Sequence, residues 1–401
     1  MQGYRIFNPT IQSEKFDGEG EYIRRYVPEL TSVPVKWIDE PHLMSQDEQG
    51  WTGCRIGSAH PCPHRGPSTR APGIFGPGET TGRTMTATPL RLGISRCLLG
   101  EEVRFDGGHK RDGFLTDVLG RYVEWVPVCP EVEAGLGTPR EAMRLVESPH
   151  QFRLITIKSG QDHTRALESM ARNRLRDLEA LDLSGYVFKK DSPSCGVERV
   201  RTYNEHGMPS RNGVGLFARA FLDRFPLIPV EEEGRLCDAR LRENFIERVF
   251  CYRRWQDMVQ SGITRQAVVR FHTIHKYLLL AHSAQHYRLL GRLVAQVNEY
   301  RPKDLASRYA ELFMQALAVR ATVRKHVNVL QHILGHLKGR LQPDERAELA
   351  GVIGDYHRGL TPLIVPLTLI KHYVHIFDVA YIRDQVYLNP HPTELMLRNH
   401  V

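Results

Sequence analysis

Residues 122–131 read YVEWVPVCPE, a short run of aromatic and β-branched residues that stops at a cysteine in a proline turn. Such a run, too short for a helix and bounded by turn residues, is the pattern of a buried strand. The same pattern precedes two other cysteines, in PLRLGISRC at 89–97 and GYVFKKDSPSC at 185–195. Working outward, FRLITIK (152–158) and PLIPV (226–230) read as further strands, while DGFLTDVLGR (112–121), DHTRALESMARNRLRDLEAL (162–181) and GLFARAFLDRF (215–225) carry helical periodicity. Strands alternating with helices imply a mostly parallel sheet with helices on both faces. We therefore expect an α/β domain over 85–235.

In an open sheet of this kind ligands bind beyond the carboxyl ends of the strands. Cys97, Cys129 and Cys195 each follow a strand, so three thiols 32 and 66 residues apart along the chain should converge on one edge. Each also sits in turn chemistry: Pro130 follows Cys129, while Ser192, Pro193 and Ser194 precede Cys195 and Gly196 follows it. Turns present free N–H groups, which suit an anionic thiolate or a metal–sulfur cluster. One such cysteine alone reads as a small buried hydrophobe; three in corresponding positions argue for a shared task. Three thiolates suit zinc or an iron–sulfur cluster, and residue types do not separate the two. Asp106, Gly107 and Gly108 form a tight turn in this reading, with His109, Lys110 and Arg111 left open as contacts to a phosphate or ring oxygen. Arg140, in GTPRE, is expected on the surface just before a helix.

From 244 to 401 the periodicity is almost wholly helical, as in VVRFHTIHKYLLLAHSAQHYRLLGRLVAQV (268–297), and an all-α domain should follow the α/β one. The charge follows the same division. The whole chain of 401 residues carries +8, yet residues 236–401 hold 23 basic against 14 acidic residues and 12 of the 19 histidines. That region is either a solvated basic face or a surface for phosphate-bearing partners. Histidines paired at spacings of three and four (His272 and His275, His282 and His286, His332 and His336, His372 and His375) share helix faces, a geometry open to metal but short of acidic partners.

Hydrophobic residues at 41% and charged residues at 25% exclude wholesale disorder and a disulfide scaffold, and none of the seven cysteines forms a C-x-x-C pair. The most apolar run, LTPLIVPLTLI at 360–370, is too short to span a bilayer and holds two prolines. A soluble cytoplasmic protein is expected. Residues 51–84, rich in Gly, Pro, Arg and Thr, read as a disordered linker.

GISRCLLGEEVRFDGGHKRD (93–112), VPVCPEVEAGLGTPREAMRL (126–145) and KKDSPSCGVERVRTY (189–203) resemble, in order, the three motifs of the thiouracil desulfurase (TudS-like) family. The resemblance implies that Cys97, Cys129 and Cys195 hold a [4Fe-4S] cluster whose fourth iron has no protein ligand. It also implies active-site roles for Glu131, in CPE, and Ser192, in SPSC. The implied reaction is non-redox: a thiolated pyrimidine base, nucleoside or nucleotide becomes the oxo-pyrimidine and sulfide is released. The alternative is an RNA-binding or thiolated-RNA-modifying protein that uses the basic helical domain. Residues 244–401 resemble the YbgA-like domain. RIFNPTIQSEKFDGEGEYIRRYVPEL (5–30) with PVKWIDEPH (34–42) resembles the closing segment of the photolyase flavin-binding domain. So short a segment lacks the flavin pocket; we expect 1–84 to be a photolyase-tail-like remnant with its linker, and Met85 the older start.

Overall fold

The buried strand Arg91–Ser95 (β1) pairs in parallel with Glu124–Val128 (β2) on one side and Gly185–Phe188 (β5) on the other, and Val230–Glu232 (β8) adds to β5. In this computed structural model residues 89–148 and 152–400 are described; the expected remnant and linker of 1–84 lie outside them. The order β2-β1-β5-β8 places the chain first to one side of β1 and then to the other, so the crevice beyond the carboxyl end of β1 is the switch point of the sheet.

Both faces of this sheet are covered. Val126, Val128, Tyr186 and Phe188 pack against Leu175 and Leu178 of the helix Thr164–Glu179 and Phe217 and Phe221 of the helix Leu216–Arg224. On the other face Leu92, Ile94 and Val187 meet Leu115 and Leu119, and then Phe245, Ile246 and Val249 of the 22-residue helix Ala239–Gln260. The Tyr186 ring lies across β1 because residue 93 is glycine: a Cβ there would stand 2.1 Å from the ring. Ring burial on this scale dominates core energetics.

A second four-stranded sheet was not expected. Phe152–Thr156 (β4) joins it, antiparallel to Met143–Glu147 (β3); Val200–Tyr203 (β6) runs parallel to β3, and Pro209–Gly213 (β7) closes it antiparallel. PSRNG and VRTY have no apolar run, and β7 is mostly exposed, so no pattern marked them. The expected helix at 112–121 is a π-helical turn, Phe114–Val118, followed by a 3-10 turn, Leu119–Arg121. After Arg140 comes β3, not a helix.

From Ala239 onward the structure is helical: Arg265–His282, Ala284–Ala295, Pro302–Ala318, Val323–Leu337, Pro343–His357 and Ile364–Ile376 enclose one apolar core around Tyr309, Phe313, Leu330 and Leu367. The starts follow capping chemistry. Thr264, Ser283 and Thr322 accept backbone N–H groups at three N-termini, and proline opens the helices at 302 and 343. No helix among the described residues is long and apolar enough to cross a membrane.

Candidate active site

Cys97 lies two residues past β1 in the 3-10 turn Arg96–Leu99, Cys129 directly follows β2, and Cys195 lies seven residues past β5. All three are buried free thiols, and all three line one open cavity of about 280 Å³ at the carboxyl edge of the parallel sheet. Glu131, Ser192 and Lys110 line it too, as do Ser194, Arg140, Lys189 and Phe105. Burial pushes the Cys97 thiol up to about 11 although Lys189 and Arg104 draw it down. Burial likewise raises Cys129, and raises Cys195 further still. Among the described residues no three His, Cys, Asp or Glu side chains stand close enough to chelate a single metal ion. A single zinc with bonds of about 2.3 Å needs exactly that closeness. A polynuclear iron–sulfur group does not, because each thiolate takes its own iron, and three thiols facing one cavity fit it.

Glu131 belongs to the short helix Pro130–Glu133, whose proline stands at its first position and whose preceding residue is Cys129. The Cys129 N–H donates to Glu133 Oε1 at 3.2 Å, which ties the cysteine's backbone to the last residue of that helix. Glu131 Oε2 accepts Arg140 Nε at 2.9 Å and also Arg140 Nη2; Oε1 accepts the Ser194 hydroxyl at 2.6 Å. Arg140 is not a surface residue. Its side chain is 7% exposed, and Nη1 also donates to the carbonyls of Val103 (3.0 Å) and Gly137 (2.8 Å). Sequence reasoning missed it because its partner acid is brought near only by the loop between.

Ser192 lies in the cavity wall but does not touch Glu131. Its hydroxyl accepts the N–H groups of Ser194 (3.3 Å) and Cys195 (3.1 Å) and stands 3.0 Å from the Ser194 hydroxyl. Ser194, fully buried, completes a chain Ser192···Ser194···Glu131. The SPSC turn needs Gly215 beside it: a Cβ there would meet the Ser194 carbonyl at 2.5 Å and the Cys195 nitrogen at 2.8 Å.

The turn expected at 106–108 is present, with the Gly108 N–H on Asp106 Oδ1 (3.1 Å) and Gly107 at φ 77°. Of the three basic residues after it, Lys110 lines the cavity, while Arg111 pairs with Asp117. Phe105 is 41% exposed at the cavity mouth, its carbonyl held by the Arg140 N–H at 2.9 Å and its ring 5.5 Å from the Arg104 guanidinium. Three of the paired histidines are engaged inside the core. His272 meets the Tyr309 hydroxyl, His275 the Phe271 carbonyl, and His282 Glu247, each a separate buried hydrogen bond.

Comparison with known proteins follows the same division of the chain. The 2-thiouracil desulfurase family matches residues 92–233, the family described as protein of unknown function (DUF1722) matches 276–392, and the FAD binding domain of DNA photolyase matches 1–69, farther than the forty residues read from sequence. The uncharacterized protein YbgA of Escherichia coli K12 is 32% identical over 161 residues, 40% of this chain and 95% of that protein. The deoxyribodipyrimidine photo-lyase of Alkalihalophilus pseudofirmus is 50% identical over 60 residues, but these are only 12% of it. A solved structure, the [4Fe-4S]-dependent thiouracil desulfidase TudS, is 32% identical with a TM-score of 0.31, covering 37% of this chain and 93% of its own. The chain thus belongs to the YbgA family, its helical region joined to an α/β region of distant homology to 2-thiouracil desulfurase.

Proposed function

We propose that the α/β region is a desulfurase that converts a thiolated pyrimidine (thiouracil, thiouridine or its nucleotide) to the oxo-pyrimidine with release of sulfide. The observation that carries this reading is the meeting of Cys97, Cys129 and Cys195 with Glu131 in one cavity at the switch point of the sheet, inside the stretch matched by the desulfurase family. Cys97, Cys129 and Cys195 would hold a [4Fe-4S] cluster. When bound, it supplies a Lewis-acidic iron with an open position, the iron–sulfur counterpart of an open catalytic zinc, suited to a soft thiocarbonyl sulfur.

The chain's own groups then perform the hydrolysis. Phe105 gives the ring a face to stack on at the mouth, and Lys110 offers a cation to a ring oxygen or phosphate. Ser192 and Ser194 position a water, and Glu131, oriented by Arg140, takes its proton as the water attacks the C=S carbon. The carbon–sulfur bond breaks, the carbonyl forms and sulfide leaves with the protons of that water, so no electron is gained or lost. Such chemistry belongs in a reducing compartment, the cytoplasm.

The basic balance of 236–401 supports a second reading, in which the thiolated base is presented within RNA; affinity for RNA should then fall steeply with salt. The test is sulfide release by anaerobically reconstituted protein from 4-thiouracil, 4-thiouridine and its monophosphate. One sulfide per oxo-pyrimidine, without added reductant, is expected. Turnover by colourless, iron-free protein overturns the reading.

A further inference from the structure

The helical bundle has a cavity of its own, about 360 Å³, that the desulfurase chemistry does not use. On its rim Arg240 and Arg320 are both exposed, and neither pairs with a carboxylate among the described residues. The neighbouring acid, Asp238, accepts the backbone N–H groups of Arg240 (2.9 Å) and Leu241 (3.0 Å) on Oδ1; it lies near both guanidiniums but outside the cavity lining and bridges neither. Thr322 and Val323 form another wall, where the 15-residue helix Val323–Leu337 begins; Thr322 caps the Lys325 N–H, and the N–H groups of Val323 and Arg324 lack helical acceptors.

Two side chains more than nine-tenths buried point the same way. Tyr356 lines the cavity with a hydroxyl that has no hydrogen-bond partner. His326 uses Nδ1 on the Tyr387 hydroxyl at 3.0 Å, which leaves Nε2 without a partner among the described residues. The single acid in the lining, Glu247, is fully engaged: Oε2 is 2.7 Å from His282 Nε2 and Oε1 is 3.1 Å from Arg398 Nη2. His282 Nδ1 is 2.7 Å from the Val319 carbonyl and must carry a proton to bond it, so Nε2 is the nitrogen that faces the carboxylate. The cavity therefore offers donors from several directions and no free carboxylate.

We propose that this cavity binds a phosphate group with at least three free oxygens, either as inorganic phosphate or as the terminal phosphate of a nucleotide. Two guanidinium forks, a helix N-terminus and the unpartnered Tyr356 hydroxyl present more donors than one carboxylate could accept, whereas a terminal phosphate has three oxygens to meet them. The site lies in the helical region, and the proposal does not depend on the desulfurase reading.

The test is calorimetric titration of the full-length protein with inorganic phosphate, uridine monophosphate and uridine at matched ionic strength, repeated on Arg240→Gln, Arg320→Gln and Tyr356→Phe. Both arginines are exposed, so their variants should keep the native circular dichroism. Saturable binding weakened at least tenfold in each arginine variant supports the site. Equal affinity for phosphate and the nucleotide then identifies free phosphate as the ligand, and at least tenfold preference for the nucleotide, with uridine silent, identifies a nucleotide. Uridine binding as tightly as its monophosphate, affinities unchanged in both arginine variants, or no saturable binding of either phosphate overturns the proposal. Because nothing turns over in this experiment, its failure leaves the desulfurase reading untouched, and the converse.

Discussion

Lowering the pH should unfold the helical region well before it reaches ordinary acid-denaturing conditions, because four buried histidines must stay neutral in the fold. Burial holds His275 and His326 down to about 3, and His272 and His391 down to about 4. In the unfolded chain each returns to about 6.5. A depressed folded value means that the unfolded state binds the proton first, so the stability these groups contribute is present above pH 6.5 and is lost as pH falls toward 4. A pH of 5 lies about 1.5 units below the unfolded value, which costs about 2 kcal/mol for each histidine and about 8 kcal/mol for the four together. Glu243 opposes them: burial raises its carboxyl, which favours the folded state as pH falls, but it is one group against four. The loss is a large part of a typical stability of about 5–15 kcal/mol. Thermal melts by circular dichroism at 222 nm, from pH 8 to pH 5, should therefore show the midpoint falling by roughly 10–30 °C, the lower end allowing for Glu243. His275→Asn should lower the midpoint at pH 8 but flatten its fall with pH. A midpoint unchanged between pH 7.5 and pH 5.5 would refute the burial argument.

Other consequences are more local. Glu131→Gln keeps the shape of the acid and should retain the three thiols in place while sulfide release drops about 100-fold or more, measured beside iron content. Arg140→Met leaves the Glu131 carboxylate, 12% exposed, without its cation and should cost about 3 kcal/mol in denaturant unfolding of the α/β region. Gly215→Ala forces a methyl against the Ser194 and Cys195 backbone; it should cost about 1–3 kcal/mol and lower iron incorporation, where Gly291→Ala, with nothing within 4 Å, should not.

The strands that carry the cysteines were legible because both faces of their sheet are buried. RLGIS, EWVPV and GYVF are runs of apolar residues ended by turns, and the order of motifs placed their ends at one edge. The second sheet was legible only at β4, read from FRLITIK; β6 and β7 rely on ladder pairing and polar cross-strand bonds such as Thr202 Oγ1 to Asn212 Oδ1 at 2.6 Å, which leave no periodic trace. Arg140 was read as a surface residue and is buried, since its environment is set by Glu131 and by carbonyls of loops that come together only in the fold. Ser194, hidden between the better-marked Ser192 and Cys195, is the hydroxyl that reaches the acid. The histidine spacings were real but uninformative: His272, His275 and His282 share helix faces with their pair-mates, yet each is bonded to a different partner in the core.

The central claim, that three strand-end thiols make one working centre, is tested most directly by anaerobic reconstitution of Cys97→Ala, Cys129→Ala and Cys195→Ala beside the unaltered protein, with iron content, visible absorbance and sulfide release from 4-thiouridine read on the same samples. Loss of cluster and of turnover together in all three is the predicted result. Any one variant that lacks the cluster yet releases sulfide at the unaltered rate would contradict it.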